Sequence, residues 1–135
     1  MEDKQLEKLT AFMKRYCKAR GLTVYGCGGD RHGSLEWSAF YKDGSMNRTV
    51  AFFLTPEMET LGMSATYEVT VIAAVDTDTH FSQRYPVSTF RVSEDFLTKR
   101  TFFKQMRNDL NEALQRARGL GLADLTGTYV RPMGP

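Results

Sequence analysis

Cysteine is scarce in this chain. Two residues, Cys17 and Cys27, stand among 135, too few for a disulfide scaffold. Histidine is equally scarce, with His32 and His80 the only imidazoles, so few side chains can serve as a general base near neutral pH. Neither charge sign dominates: eighteen Lys and Arg against sixteen Asp and Glu leave a net +2. That balance does not by itself imply a nucleic-acid or membrane partner. No apolar run approaches the ~20 residues of a membrane helix. The opening Met1-Glu2-Asp3-Lys4 has no basic-then-apolar secretory pattern. The expectation is a cytoplasmic protein with free thiols and no membrane partner.

Several site patterns are missing too. The sequence contains no Gly-x-Ser-x-Gly elbow, no His-Glu-x-x-His and no Gly-Lys-Ser/Thr phosphate loop. Gly26-Cys27-Gly28-Gly29 follows a strand, but another strand comes after it, so no helix N-terminus backs the loop. Cys27 reads as an exposed bystander and Cys17 as a small core residue. The reading is non-catalytic, with no cofactor.

Two helical patterns bracket a strand-rich middle. Leu6, Leu9, Met13, Tyr16 and Cys17 recur at steps of three and four, predicting a helix from about Lys4 to Arg20. Phe96, Phe103, Met106, Leu110, Leu114 and Ala117 do the same, predicting a helix from a Ser93 cap to about Arg118. Lys99 falls on the apolar side of that helix, so it must snorkel or a kink must separate Phe96 from Phe103.

Between them, Leu22 to Tyr25 reads as a short strand and the glycines to Gly33 as a hairpin tip. Leu35, Trp37, Ala39 and Tyr41 alternate with polar residues as in a half-buried strand. Thr49 to Leu54 is apolar on both faces and reads as central. Tyr67 to Val75 is the strongest strand. Phe81 to Val87, then Thr89 to Val92, give one bent strand or two short ones, with Pro86 arguing for an edge or a bulge there. Thr55 to Leu61 has room for a turn of helix. Connections this short favour an antiparallel meander.

The expected fold is therefore one α+β domain over residues 1–135. A single antiparallel sheet of about five strands carries an N-terminal and a long C-terminal helix on one face. The segment 120–135 is a partly ordered tail, packed down by Leu122, Leu125, Tyr129 and Val130.

Three functional readings arise. Two helices cover only one sheet face, and apolar residues lie on both. The leading reading is thus a module that binds another protein as adaptor, chaperone or inhibitor, homodimerisation included. Its anchors would be Trp37, Phe40, Tyr41, Phe52 and Tyr85. The second reading is single-stranded nucleic-acid binding, with the basic residues Lys14, Arg15, Lys18, Lys104 and Arg107 beside base-stacking sheet aromatics. The third is a metal-dependent enzyme using Asp76, Asp78 and His80, whose alternation suits one side of an extended strand. Asp30 and His32 would join that site if the two hairpin tips met. The order helix, antiparallel sheet, long helix, with the passage His80 to Val87 entering an acidic helix start, resembles the topology of small secretion chaperones. That resemblance implies binding rather than catalysis. The chain departs from it in being mildly basic and in lacking a helix within the sheet.

Overall fold

A computed structural model describes residues 1–57 and 65–126. Helix α1 (Asp3–Arg20) is followed by strands β1 (Thr23–Arg31), β2 (Ser34–Asp43), β3 (Met46–Pro56) and β4 (Thr66–Asp76). Two strands come next, the short β5 (Phe81–Ser82) and β6 (Tyr85–Ser93), then helix α2 (Arg100–Gly119) and the short β7 (Leu125–Thr126). The expected helical turn up to Leu61, and the packing of Tyr129 and Val130, lie outside the described residues.

Successive strands pair antiparallel from β1 through β4. Both β5 and β6 then line the far side of β4; the segment does form two strands, but they break at Gln83-Arg84 rather than near Ser88. Pro86 sits at a register shift opposite Ile72 on that edge, where its missing N–H costs no ladder bond. β7 pairs β5, which anchors the first part of the tail. Leu122, expected to pack the tail down, is instead exposed, and Leu120 takes the buried position.

The phase of each strand decides its inner face. Leu35↔Leu54, Trp37↔Phe52 and Ala39↔Val50 are paired across β2 and β3, and Leu54↔Val69, Phe52↔Val71 and Val50↔Ala73 across β3 and β4. These residues share one core with Leu9, Phe12, Met13, Tyr16 and Cys17 of α1 and Phe102, Met106, Leu110 and Ala117 of α2. Both helices therefore lie on one face. Trp37 stacks on Phe52, with ring centroids 4.9 Å apart, and its indole N–H donates to Thr10 Oγ1 of α1 at 3.1 Å. Phe12 meets Phe103 at 5.0 Å, and the Tyr16 hydroxyl donates to Asn111 Oδ1 at 2.9 Å, joining helix to helix.

α1 ends at Gly21, whose φ of 69° is the left-handed conformation that favours glycine. The Leu22 N–H then donates back to the Cys17 carbonyl at 2.9 Å. The β1–β2 tip is narrower than the glycine run suggested. β1 continues through the glycines, and the turn is His32-Gly33, both at positive φ, as a type I′ hairpin requires.

The last helix starts later than its sequence pattern implies. Ser93 precedes a 3-10 turn (Glu94–Phe96), and α2 begins only at Arg100. The break buries Leu97 completely and leaves Phe96 outside. Lys99 snorkels over the Phe96 ring, 4.2 Å from its centroid.

At the other end of α2, the buried Arg48 of β3 reaches the carbonyls of Ala117 and Leu120 through Nη1. Its Nε donates to Asp43 Oδ2 at 2.8 Å. The cation meets the negative end of the helix, where the last carbonyls have no intrahelical partner.

Arg48→Ala strands the Leu120 carbonyl, leaves the Ala117 carbonyl with the Leu120 N–H alone, and should lower unfolding free energy by about 3 kcal/mol in urea titration. Asp43→Asn, at a largely exposed partner, should cost less than about 1 kcal/mol. Burial also pushes the Cys17 thiol up to about 11 and the Tyr16 phenol to about 12. Both groups stay neutral in the fold while the unfolded chain ionises from their ordinary values of 9.0 and 10.0 upward. Stability should therefore hold below about pH 9 and fall between about pH 9 and 12. Cys17→Ala should flatten the lower part of that fall.

Candidate functional site on the helix-free sheet face

The alternate residues of the same strands point away from both helices. Phe53 pairs with Thr70, Ala51 with Ile72 and Thr49 with Ala74, and Ala51, Phe53 and Ile72 form a second, smaller apolar cluster. Arg84, in the link between β5 and β6, lies over the Phe53 ring at 4.8 Å. A cleft of about 340 Å³ opens beside this cluster. Its floor is Ala51, Ile72 and Ala74, and Tyr25, Glu36, Asp76, Phe81 and Arg84 stand around it. A neighbouring recess of about 310 Å³ is lined by His32, Ser34, Thr55 and Pro86 and shares Ile72 and Arg84 with the first.

Tyr25 is brought to this face by β1. The ladder skips it between Val24 and Gly26, and a bulge of this kind re-aims a side chain. Its ring meets Phe40 edge-on at 5.6 Å. The residue is 54% exposed, yet burial raises its phenol pKa, and the Glu36 and Asp76 carboxylates add to the rise against hydrogen bonding with Ser38 and Thr49. The ring flank faces solvent while the hydroxyl end lies inward over the sheet. At the neighbouring Gly26 a Cβ would come within 2.8 Å of Ser38 Oγ, so β1 lies this close to β2 there only with glycine. Phe81, 40% exposed, stands at the other rim. The site thus joins an apolar floor, two aromatic rims, two carboxylates and one guanidinium. It can grip a side chain that is apolar along its length and polar at its tip.

The expected anchors divide across the two faces. Trp37 and Phe52 are fully buried in the main core, so they are not surface anchors, because the strand phase turns both toward the helix layer. Tyr41 packs against the same core, and Tyr85 lies under Arg116 of α2 at 5.4 Å. Phe40 alone of the five reaches the helix-free face. Sequence reasoning misses Tyr25, Phe53, Ile72, Phe81 and Arg84 as site residues. A signal for Phe53 is present in Thr49–Leu54, apolar on both faces. Nothing in the sequence marks the bulge that turns Tyr25.

Asp76, Asp78 and His80 do not form a ligand set. Asp76 borders the cleft, whereas Asp78 and His80 are exposed in the turn beyond β4. Thr77 organises that turn by accepting the His80 N–H at its Oγ1 (3.0 Å), and His80 Nδ1 lies 2.8 Å from Thr79 Oγ1. Among the described residues no group of three or more His, Cys, Asp or Glu is placed to hold a metal ion. The β1–β2 tip and this turn occupy opposite ends of the sheet, because Leu35 is level with Val69 through Leu54 whereas Asp76 is level with Asn47. Asp30 and His32 therefore never meet Asp76.

Lys14, Arg15, Lys18, Lys104 and Arg107 are all exposed on the helix layer. They lie on the side of the sheet opposite Tyr25, Phe40 and Phe53, so cations and stacking aromatics do not share a surface. Among the described residues no helix is long and apolar enough to cross a membrane. No family model, curated protein or solved structure matches the chain.

The two faces should separate by mutation. Trp37→Ala and Phe52→Ala should each cost about 3–5 kcal/mol, whereas Tyr25→Ala should stay within about 1 kcal/mol. Urea denaturation of the three variants checks this.

Proposed function

We propose that the chain is a non-catalytic binding module whose helix-free sheet face receives another protein. The observation that carries this reading is the apolar cluster of Ala51, Phe53 and Ile72 on the face that α1 and α2 leave uncovered. Tyr25 and Phe81 stand exposed at the rim of the cleft beside it. Aromatic side chains around a pocket supply large contact area at low entropic cost. Glu36 (only 7% exposed), Asp76 and Arg84 also line the cleft. The fitting partner therefore offers an apolar segment to the apolar cluster. Contacts of this kind suit an adaptor, chaperone or inhibitor acting in the cytoplasm, and a second copy of the chain is the alternative occupant.

Photo-crosslinking from position 25 in the native host tests the reading. A crosslinker at Tyr25 should capture one protein species that a crosslinker at exposed Gln105, on α2, does not. Phe81→Ala should weaken that partner's binding roughly tenfold with the melting temperature unchanged. Equal capture from both faces, or none from position 25, would refute it.

A further inference from the structure

Charge is segregated between the two layers. α1 and α2 together carry eleven Lys and Arg against four Asp and Glu, while the rest of the chain carries seven against twelve. All eleven helix cations are exposed. A net charge of only +2 hides a strongly basic outer layer on a chain whose remainder is acidic.

The cations are also ordered along the helices. At ~100° per residue, Lys4, Lys8 and Arg15 fall within ~40° of one another on α1. Arg100, Lys104, Arg107 and Arg118 fall within ~60° on α2. The contact between Phe12 and Phe103 and the bond from Tyr16 to Asn111 fix which sides of the helices meet. Both basic stripes lie beside that contact line, on its solvent side.

The helix carboxylates lie elsewhere on the same wheels. Asp3 and Glu7 share the β1 flank of α1 with Lys14, whose charge acts on Cys27 of β1. Asp109 and Glu112 take the β6 flank of α2, where Asp109 accepts from Ser88 Oγ at 2.9 Å. None of the seven stripe cations is paired with a carboxylate among the described residues. The α1–α2 seam is therefore a row of seven cations, none of them so paired among the described residues, with Glu94 standing at its N-terminal end. The two helices run parallel, since Gln5 approaches Glu94 while Arg20 reaches Asn111. Between the levels of Lys4 and Arg15 on α1 the row extends on the order of 17 Å.

We infer that this seam is a docking strip for the phosphate backbone of a nucleic acid, read without regard to base sequence. A linear row of cations complements a linear polyanion, and such binding draws on counterion release. The exposed large apolar residues among those described are Tyr25, Phe81, Phe96 and Leu122. Tyr25 and Phe81 border the cleft on the other face and Phe96 lines a recess with Phe90 and Val92 of β6, so none of these three offers the seam a side chain to insert into a lipid surface or to stack bases. The inference stands independently of the sheet-face reading, because it uses the opposite side of the molecule.

Fluorescence anisotropy with a labelled oligothymidylate of about 20 nucleotides tests it, read from about 50 to about 200 mM salt. Binding should weaken with salt along a log–log slope of about −3, as for roughly four phosphates neutralised on a single strand. Charge reversal at Arg15, Lys104 and Arg107 together should lower affinity at least tenfold and flatten the slope. Lys42→Glu, on β2 away from the seam, should leave both unchanged. If the triple reversal does not fold by circular dichroism, the milder pair Lys104→Gln and Arg107→Gln should still weaken binding measurably. Three results would each overturn the inference: no binding at about 50 mM salt, binding that survives the seam substitutions, or tighter retention on phosphatidylserine vesicles than on the oligonucleotide.

Discussion

Everything in this fold depends on a sheet that is apolar on both faces but roofed on one. The strongest burial lies where Trp37 and Phe52 stack between α1, α2 and the central strands. Burying a large apolar side chain is worth roughly 1.5–3 kcal/mol, so the paired rows of β2, β3 and β4 fix which face the helices take. Once that face is chosen, a period of two leaves Ala51, Phe53 and Ile72 on the other. The open cluster is thus a consequence of the strands being central, rather than a separate feature added to the surface.

The helices are held to this arrangement by polar contacts as well as apolar ones. Arg48 ties the end of α2 to the β2–β3 hairpin, and Thr10 meets the Trp37 indole. Asn111 accepts from both Tyr16 and Arg20. These bonds use inward or lateral positions of the helices. The outward positions are left to Lys and Arg, and the acidic side chains fall largely on the sheet and its loops. One-sided roofing therefore separates two surfaces of different chemistry, an apolar and acidic cleft on one side and a basic seam on the other.

Much of the architecture is legible in the sequence because periodicity reports burial. The alternation of Leu35, Trp37 and Ala39 and the three-four spacing of Leu9, Met13 and Tyr16 each name an inner face. What periodicity does not carry is a local change of phase. The late start of α2 arises because Leu97 enters the core ahead of the helix, which a regular stripe beginning at Phe96 conceals. Tyr25 is exposed over the sheet because β1 bulges, and no residue pattern announces that. Trp37 and Phe52 mislead as surface anchors for a related reason: an aromatic on a two-sided strand has no visible preference until its partners across the ladder are known. The separation of Asp30 and His32 from Asp76 follows from strand pairing alone.

Trp37 is the only tryptophan in the chain, and it sits at the centre of the roofed face. Its fluorescence is therefore the most direct report on the arrangement. Sealed beneath α1 and stacked on Phe52, it should emit at blue-shifted wavelengths and resist quenching by iodide and acrylamide until the protein unfolds. Red-shifted emission, quenched in the native protein as readily as in the unfolded chain, would contradict the one-sided packing.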